Sequence, residues 1–113
     1  MKLDITDNHV VVHMEGIWKF LALKSTIRIP TECIMDVKTE KAKWLIFTPK
    51  AGTNLPGVIM AGTFFRKSGL AFYFMRKPDQ CITLLLENHR YSELVLQVDD
   101  KEKVASQIRE KIS

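Results

Sequence analysis

Short stretches in which apolar and polar residues alternate recur along this chain, and no helical pattern of about ten residues interrupts them before residue 99. Val10, Val12 and Met14 fall on one side of an extended backbone and His9, Val11 and His13 on the other, so this β-branched run reads as a strand with one apolar face. Leu3 and Ile5 alternate in the same way before a turn at Asp7-Asn8. Further strands are predicted at 26–29 (Ile27, Ile29), 34–38 (Met35, Val37), 43–47 (Trp44, Ile46), 58–65, 70–74 (Leu70, Phe72, Phe74), 82–86 (Ile82, Leu84, Leu86) and 91–98 (Leu94, Leu96, Val98). Between the later ones stand Arg66-Lys67-Ser68-Gly69, Arg76-Lys77-Pro78-Asp79 and Glu87-Asn88-His89-Arg90, which carry turn-forming residues. Gaps this short imply antiparallel hairpins and disfavour a parallel βαβ arrangement.

The period changes at the C-terminus. Val104, Ile108 and Ile112 recur every four residues, with Ala105 beside them and polar residues elsewhere, which predicts an amphipathic helix over 100–111. Asp99 followed by Glu102 has the offset of a capping box. The single apolar stripe of this helix needs a sheet to cover it. The expected fold is therefore mainly β: a single domain, residues 1–113, forming a small antiparallel barrel or sandwich of about seven to nine strands plugged by one C-terminal α-helix.

At 113 residues, 46% hydrophobic and 27% charged, the chain has ordinary globular composition, which excludes the disordered and fibrous classes. No apolar run reaches the roughly 20 residues needed to cross a bilayer, and the acidic, turn-forming N-terminus lacks a signal peptide's apolar segment. A cytoplasmic location is the expectation. Cys33 and Cys81 are too few for a disulfide framework and read as small buried residues. The net charge of +4 is uneven: residues 1–77 hold 12 Lys/Arg against 6 Asp/Glu, while residues 78–113 hold 5 against 7. Such a bias permits attraction to an anionic surface.

The order of elements, a meander of short strands closed by one amphipathic helix, resembles the pleckstrin-homology-like fold. More narrowly, Gly16-Ile17-Trp18-Lys19-Phe20-Leu21-Ala22-Leu23-Lys24, Ile27-Arg28-Ile29-Pro30 with Ile34-Met35-Asp36-Val37, and Pro56-Gly57-Val58-Ile59-Met60-Ala61-Gly62-Thr63-Phe64 are similar to a family of small bacterial proteins of that fold. In eukaryotic pleckstrin-homology domains that bind phosphoinositides, basic residues around the first hairpin grip the phosphates. The resemblance places Lys19, Lys24 and Arg28 in that region, with Thr26 where a further basic residue is expected.

Motifs for chemistry are absent from the sequence. His9 and His13 on one strand stand about 13 Å apart, too far to share an ion, and neither the third histidine nor the cysteines complete a ligand set. Gly52-Thr53-Asn54-Leu55-Pro56-Gly57 lacks the Lys-Ser/Thr pair of a phosphate-binding loop and reads as a wide turn. No serine sits in a nucleophile elbow. The chain is expected to be no enzyme and to use no cofactor and no metal. Nucleic acid is not an expected partner, because Phe64, Phe72 and Phe74 fall on the inward face. Trp18, Phe20, Leu21 and Leu23 instead cluster beside lysines, and if the segment is a short helix, Ile17, Phe20 and Leu21 pack inward while Trp18 and the lysines face out. The candidate contact surface is Trp18, Lys19, Lys24 and Arg28, and a second is the loop with Leu55, Val58, Ile59 and Met60. The expected function is a non-catalytic binding or assembly module acting through protein interaction or self-association. Weak anionic-lipid binding is the alternative, and a small-molecule enzyme or carrier ranks last.

Overall fold

Short β-branched and aromatic runs bounded by turn residues carry nearly half of the chain into strands. The computed structural model describes residues 1–46 and 48–113, and among these it contains β1 (Lys2–Ile5), β2 (His9–His13), α1 (Ile17–Ala22), β3 (Thr26–Pro30), β4 (Ile34–Lys38), β5 (Ala51–Leu55), β6 (Ile59–Arg66), β7 (Gly69–Met75), β8 (Cys81–Leu86), β9 (Tyr91–Gln97) and α2 (Lys101–Ile112). Single 3₁₀ turns occupy Thr31–Cys33 and Pro78–Gln80. The fold is mainly β with one C-terminal helix. Its strands form two sheets, a three-stranded meander β1-β2-β3 and a six-stranded sheet in the order β4-β8-β9-β7-β6-β5.

Of the expected antiparallel barrel or sandwich, the barrel is not formed, and one strand pair departs from antiparallel order. The sheets do not close, since β4 and β5 end the larger sheet without pairing to the smaller one. In addition β7 and β9 run parallel, with Phe72 opposite Leu94 and Phe74 opposite Leu96. The cause is the β8–β9 hairpin, which docks as a unit with its second strand against β7 and its first against β4. Burial patterns are the same for either strand direction, so alternation alone does not distinguish them.

The larger sheet is apolar on both sides. Phe72, Phe74, Ile82, Leu84, Leu94 and Leu96 share one core with the inner face of the meander (Val10, Val12, Ile27, Ile29), with Ala22 of α1 and with Ala105 and Ile108 of α2. Met60, Phe64, Ala71, Tyr73, Met75, Cys81 and Val95 form a second cluster on the opposite face. That face is covered by the segment joining β4 to β5, which must travel from one outer strand of the sheet to the other. Ala42, Trp44 and Leu45 pack onto it. Residues 43–46, expected to be a strand, therefore lie irregularly across the sheet, and Phe47, the end of that expected strand, lies outside the described residues. Side contacts hold the crossing: the Ala42 amide donates to the Pro78 carbonyl at 2.9 Å, and the Asn54 side chain donates to the Leu45 carbonyl at 2.8 Å.

Gly52 lies in β5 instead of a wide turn. It faces Gly62 of β6 at a close approach, and a Cβ on either would run into the other strand's backbone. Both glycines have positive φ, a region that side chains disfavour.

In α2 the cap is Asp100, one residue later than expected, and its carboxylate accepts from the Lys103 amide at 3.2 Å. The third helical position is consequently Lys103, so no reciprocal Glu102 contact of the capping-box kind forms. Arg109 donates to the Val37 carbonyl and Lys101 to the Thr39 carbonyl, both at 2.8 Å, tying the helix to β4 and the residue following it. Lys111 reaches Asp7 at 2.7 Å. Ile108 is the fully buried centre of the stripe, and Ile108→Ala is expected to cost about 2–5 kcal/mol in denaturant unfolding. A loss below ~1 kcal/mol would contradict this packing.

Candidate contact surface

The six residues of α1 can offer only one face to the sheet. Trp18, Leu21 and Ala22, at helical offsets of three and four, make that face: Ala22 is buried, Leu21 is half-buried, and the Trp18 ring meets Phe74 edge-on at 5.7 Å between centroids. The Arg76 guanidinium lies over the Trp18 ring at 5.2 Å. Ile17 and Phe20 then point away, 64% and 72% exposed. This reverses the expected assignment, in which Ile17 and Phe20 pack inward and Trp18 faces out. The larger indole gains more from burial against Phe74.

The end of α1 sets the position of two cations. The Leu23 amide donates to the Phe20 carbonyl and the Lys24 amide to the Lys19 carbonyl, each at 3.3 Å, the bond pair of a Schellman motif. This arrangement brings the residues that start and end the longer bond, Lys19 and Lys24, to one side of the helix end. It also forces a left-handed backbone on the residue between, normally glycine. Here that residue is Leu23, with φ 53°, and its side chain is 65% exposed. A leucine held in this region costs roughly 1–2 kcal/mol, and little burial offsets that cost.

The second candidate loop abuts the first. The Thr53 hydroxyl donates to the Leu21 carbonyl at 2.9 Å, and α1 packs against β5 and β6. Leu55, two residues further along β5, projects on the same face as Thr53. The turn that follows closes with the Val58 amide donating to the Leu55 carbonyl at 2.8 Å, and leaves Leu55 54% and Val58 62% exposed. Ile59 and Met60 are buried and take no part in this surface, Met60 because its sulfur accepts the Leu45 amide. Arg28 also lies apart: it is on β3, where its carbonyl accepts a hydrogen bond from His89 at 3.1 Å, away from the α1–β5 contact. The structure thus joins Trp18, Lys19 and Lys24 with Leu55 and Val58, and leaves out Arg28, Ile59 and Met60.

Arg76 completes the surface through its contact with the Trp18 ring, with Lys77 next to it in the chain, and sequence reasoning missed both as site residues. They follow Met75, which pairs with Met60 beside the β5–β6 turn, and both backbone amides donate to the Gln97 side chain at 2.7 Å. A sequence signal for them does exist. Residues 16–31 and 41–78 together hold ten Lys/Arg and no Asp/Glu, whereas the rest of the chain holds seven against thirteen. The two acid-free stretches build α1, β3, β5, β6 and β7. The patch therefore lies on elements that carry no acid, while the acids fall on β1, β4, β9 and α2 and in the joins between elements.

Other candidate groups are occupied structurally. His13 contacts Asp4 at 3.1 Å, and His89 accepts from the Tyr91 amide through Nδ1 while donating to Arg28 through Nε2. No group of three metal-ligating side chains converges among the described residues. A groove of about 250 Å³ runs beneath the β4–β5 crossing. At its floor Arg66 donates to the Tyr73 hydroxyl at 2.5 Å and lies 3.7 Å from Glu93, so these groups satisfy one another. Burial raises the Tyr73 hydroxyl above its ordinary range, Glu93 adds to this and Arg66 opposes it. No family model, curated protein or solved structure matches the chain.

Two expectations test this geometry. Leu23→Gly should stabilise the fold by about 0.5–1 kcal/mol, the relief of strain less the entropy of glycine. An unchanged or lower melting temperature would contradict the left-handed conformation. Cys81 is pushed up to about 12, first by burial and then by Asp79, with Lys101 opposing. Its folded value lies above the ordinary 9.0, so its contribution to stability is complete below pH 9.0 and falls as pH rises from there toward 12. In mildly alkaline buffer, mass spectrometry should find Cys81 alkylated far more slowly in the folded than in the urea-unfolded chain. Equal rates would contradict its burial.

Proposed function

We propose that this chain is a non-catalytic binding module that docks through the surface made by α1 and the β5–β6 turn. The observation that carries the reading is that Ile17, Phe20, Leu23, Leu55 and Val58, contributed by two elements packed on each other, all stand more than half exposed. Scattered apolar residues are ordinary, but a set gathered on two elements that pack together, beside the cations at the end of α1, supports an interaction site. Covering these side chains contributes on the order of 1 kcal/mol each. Contact with another protein, including a second copy of the chain, draws on that apolar area. Weak binding to anionic lipid is the second reading, favoured by Lys19 and Lys24 at the end of α1.

The fold reading within this proposal is a pleckstrin-homology-like module. Its support is the element order, a three-stranded meander followed by a second sheet and a C-terminal helix. The six-stranded sheet with its parallel β7–β9 pair is a departure from that pattern.

Phe20→Ser combined with Val58→Ser removes apolar area without touching a buried residue. The expected outcome is an unchanged melting temperature together with loss of whichever association the wild type makes, measured by sedimentation velocity over a concentration series and by flotation with vesicles. Association that persists at equal strength in the double variant would overturn the reading.

A further inference from the structure

Beyond the docking reading, and on the opposite face of the larger sheet from α1, we propose that the groove beneath the β4–β5 crossing binds a small carboxylic acid with an apolar body, its carboxylate held by Arg66. The crossing covers this face only in part. Trp44 and Leu45 pack onto the cluster around Met60, Phe64 and Tyr73, whereas Thr83 and Leu85 of β8 remain half-buried. The groove of about 250 Å³ lies over that incompletely covered part, and Leu45, Tyr73, Leu85 and Val95 give it a mostly apolar lining. Its volume is below that of sites for drug-sized ligands, so the occupant is small.

Charge at the groove selects an anion. Lys38, Lys41 and Lys43 line it as exposed residues together with Arg66, against Glu40 and Glu93. None of the three lysines makes an ion pair among the described residues. Arg66 is committed through a single atom: Nη1 donates to the Tyr73 hydroxyl and also faces Glu93, at 3.7 Å, which is longer than a charge-assisted hydrogen bond. Its Nε and Nη2 make no hydrogen bond to a described residue. Those two nitrogens form the side-on fork of a guanidinium, which a carboxylate accepts through both oxygens. Because Glu93 already stands beside Arg66, one further negative charge matches the site better than a dianion such as a phosphate monoester. The apolar lining then takes the rest of the ligand, so that the groove reads its two ends by different chemistry.

The test is titration of the full chain with hydrocinnamate, and with hydrocinnamyl alcohol as its neutral analogue, followed by amide proton–nitrogen correlation spectra. Hydrocinnamate is expected to give saturable shifts at Leu45, Arg66, Thr83 and Val95, and the alcohol to bind at least about tenfold more weakly for want of the charged hydrogen bonds. Arg66→Gln should weaken hydrocinnamate by about tenfold or more. Lys41→Ser with Lys43→Ser, at exposed positions, should weaken it about twofold to fivefold. Phe20→Ser with Val58→Ser should leave its affinity unchanged, since that surface lies on the other face of the sheet, so this inference and the docking reading stand or fall separately. Equal affinity for acid and alcohol, undiminished binding to Arg66→Gln, shifts confined to residues outside the groove, or no saturable shifts at all would each overturn the inference. Should Arg66→Gln unfold the chain through loss of the Tyr73 contact, the alcohol and the lysine pair decide it.

Discussion

The burial of β7 on both faces is the constraint from which the rest of the architecture follows. Ala71, Phe72, Tyr73, Phe74 and Met75 are consecutive and all buried, and a strand of this kind needs cover above and below. The inner cover, for Phe72 and Phe74, is the β1-β2-β3 meander with α1 and α2. The outer cover, for Ala71, Tyr73 and Met75, comes from an irregular segment with Trp44 and Leu45. That segment can span the sheet because β4 and β5 are its opposite outer strands. The parallel β7–β9 pair contributes as well, keeping β7 central.

Most of this was legible where alternation is strong. The strands at β2, β3, β6, β7, β8 and β9 and the helix α2 lie within a residue or two of their predicted positions, because each carries a periodic apolar set with turn residues at its ends. The direction of β9 against β7 was not legible, since a period of two is blind to strand direction. Residues 43–47 look like a strand because Trp44 and Ile46 alternate with polar neighbours. Yet Trp44 is half-buried and Ile46 exposed, and it is Leu45 that is buried. β5 was hidden for the opposite reason: Gly52, Asn54 and Pro56 are turn formers in isolation. Only the cross-strand approach of Gly52 to Gly62 gives that glycine its place in a strand.

The candidate surface was half legible. Trp18, Lys19, Lys24, Leu55 and Val58 stand out by composition, but nothing local says that 17–23 and 55–58 meet. That depends on Thr53 reaching the Leu21 carbonyl across 32 residues of chain. The facing of α1 was misjudged because six residues leave the choice of inward face to tertiary contacts, and Phe74 settles it by taking the indole. Arg76 belongs to the surface through the same ring, which it caps from the solvent side.

Under the proposed docking reading, Trp18 ties the stability of the fold to the presentation of the surface. Its ring anchors α1 on Phe74, and that anchor holds Phe20 and Leu23 outward, so the surface is presented by a rigid support and little ordering is left to be done on contact. The left-handed Leu23 is the complementary case, a position where conformational strain is kept and burial is not gained. The two residues sit five apart on one short helix and its cap, one favouring the fold and the other opposing it. That opposition allows the roles to be separated: a variant that relaxes Leu23 strengthens the scaffold and removes contact area in the same step, whereas a variant at Trp18 weakens both.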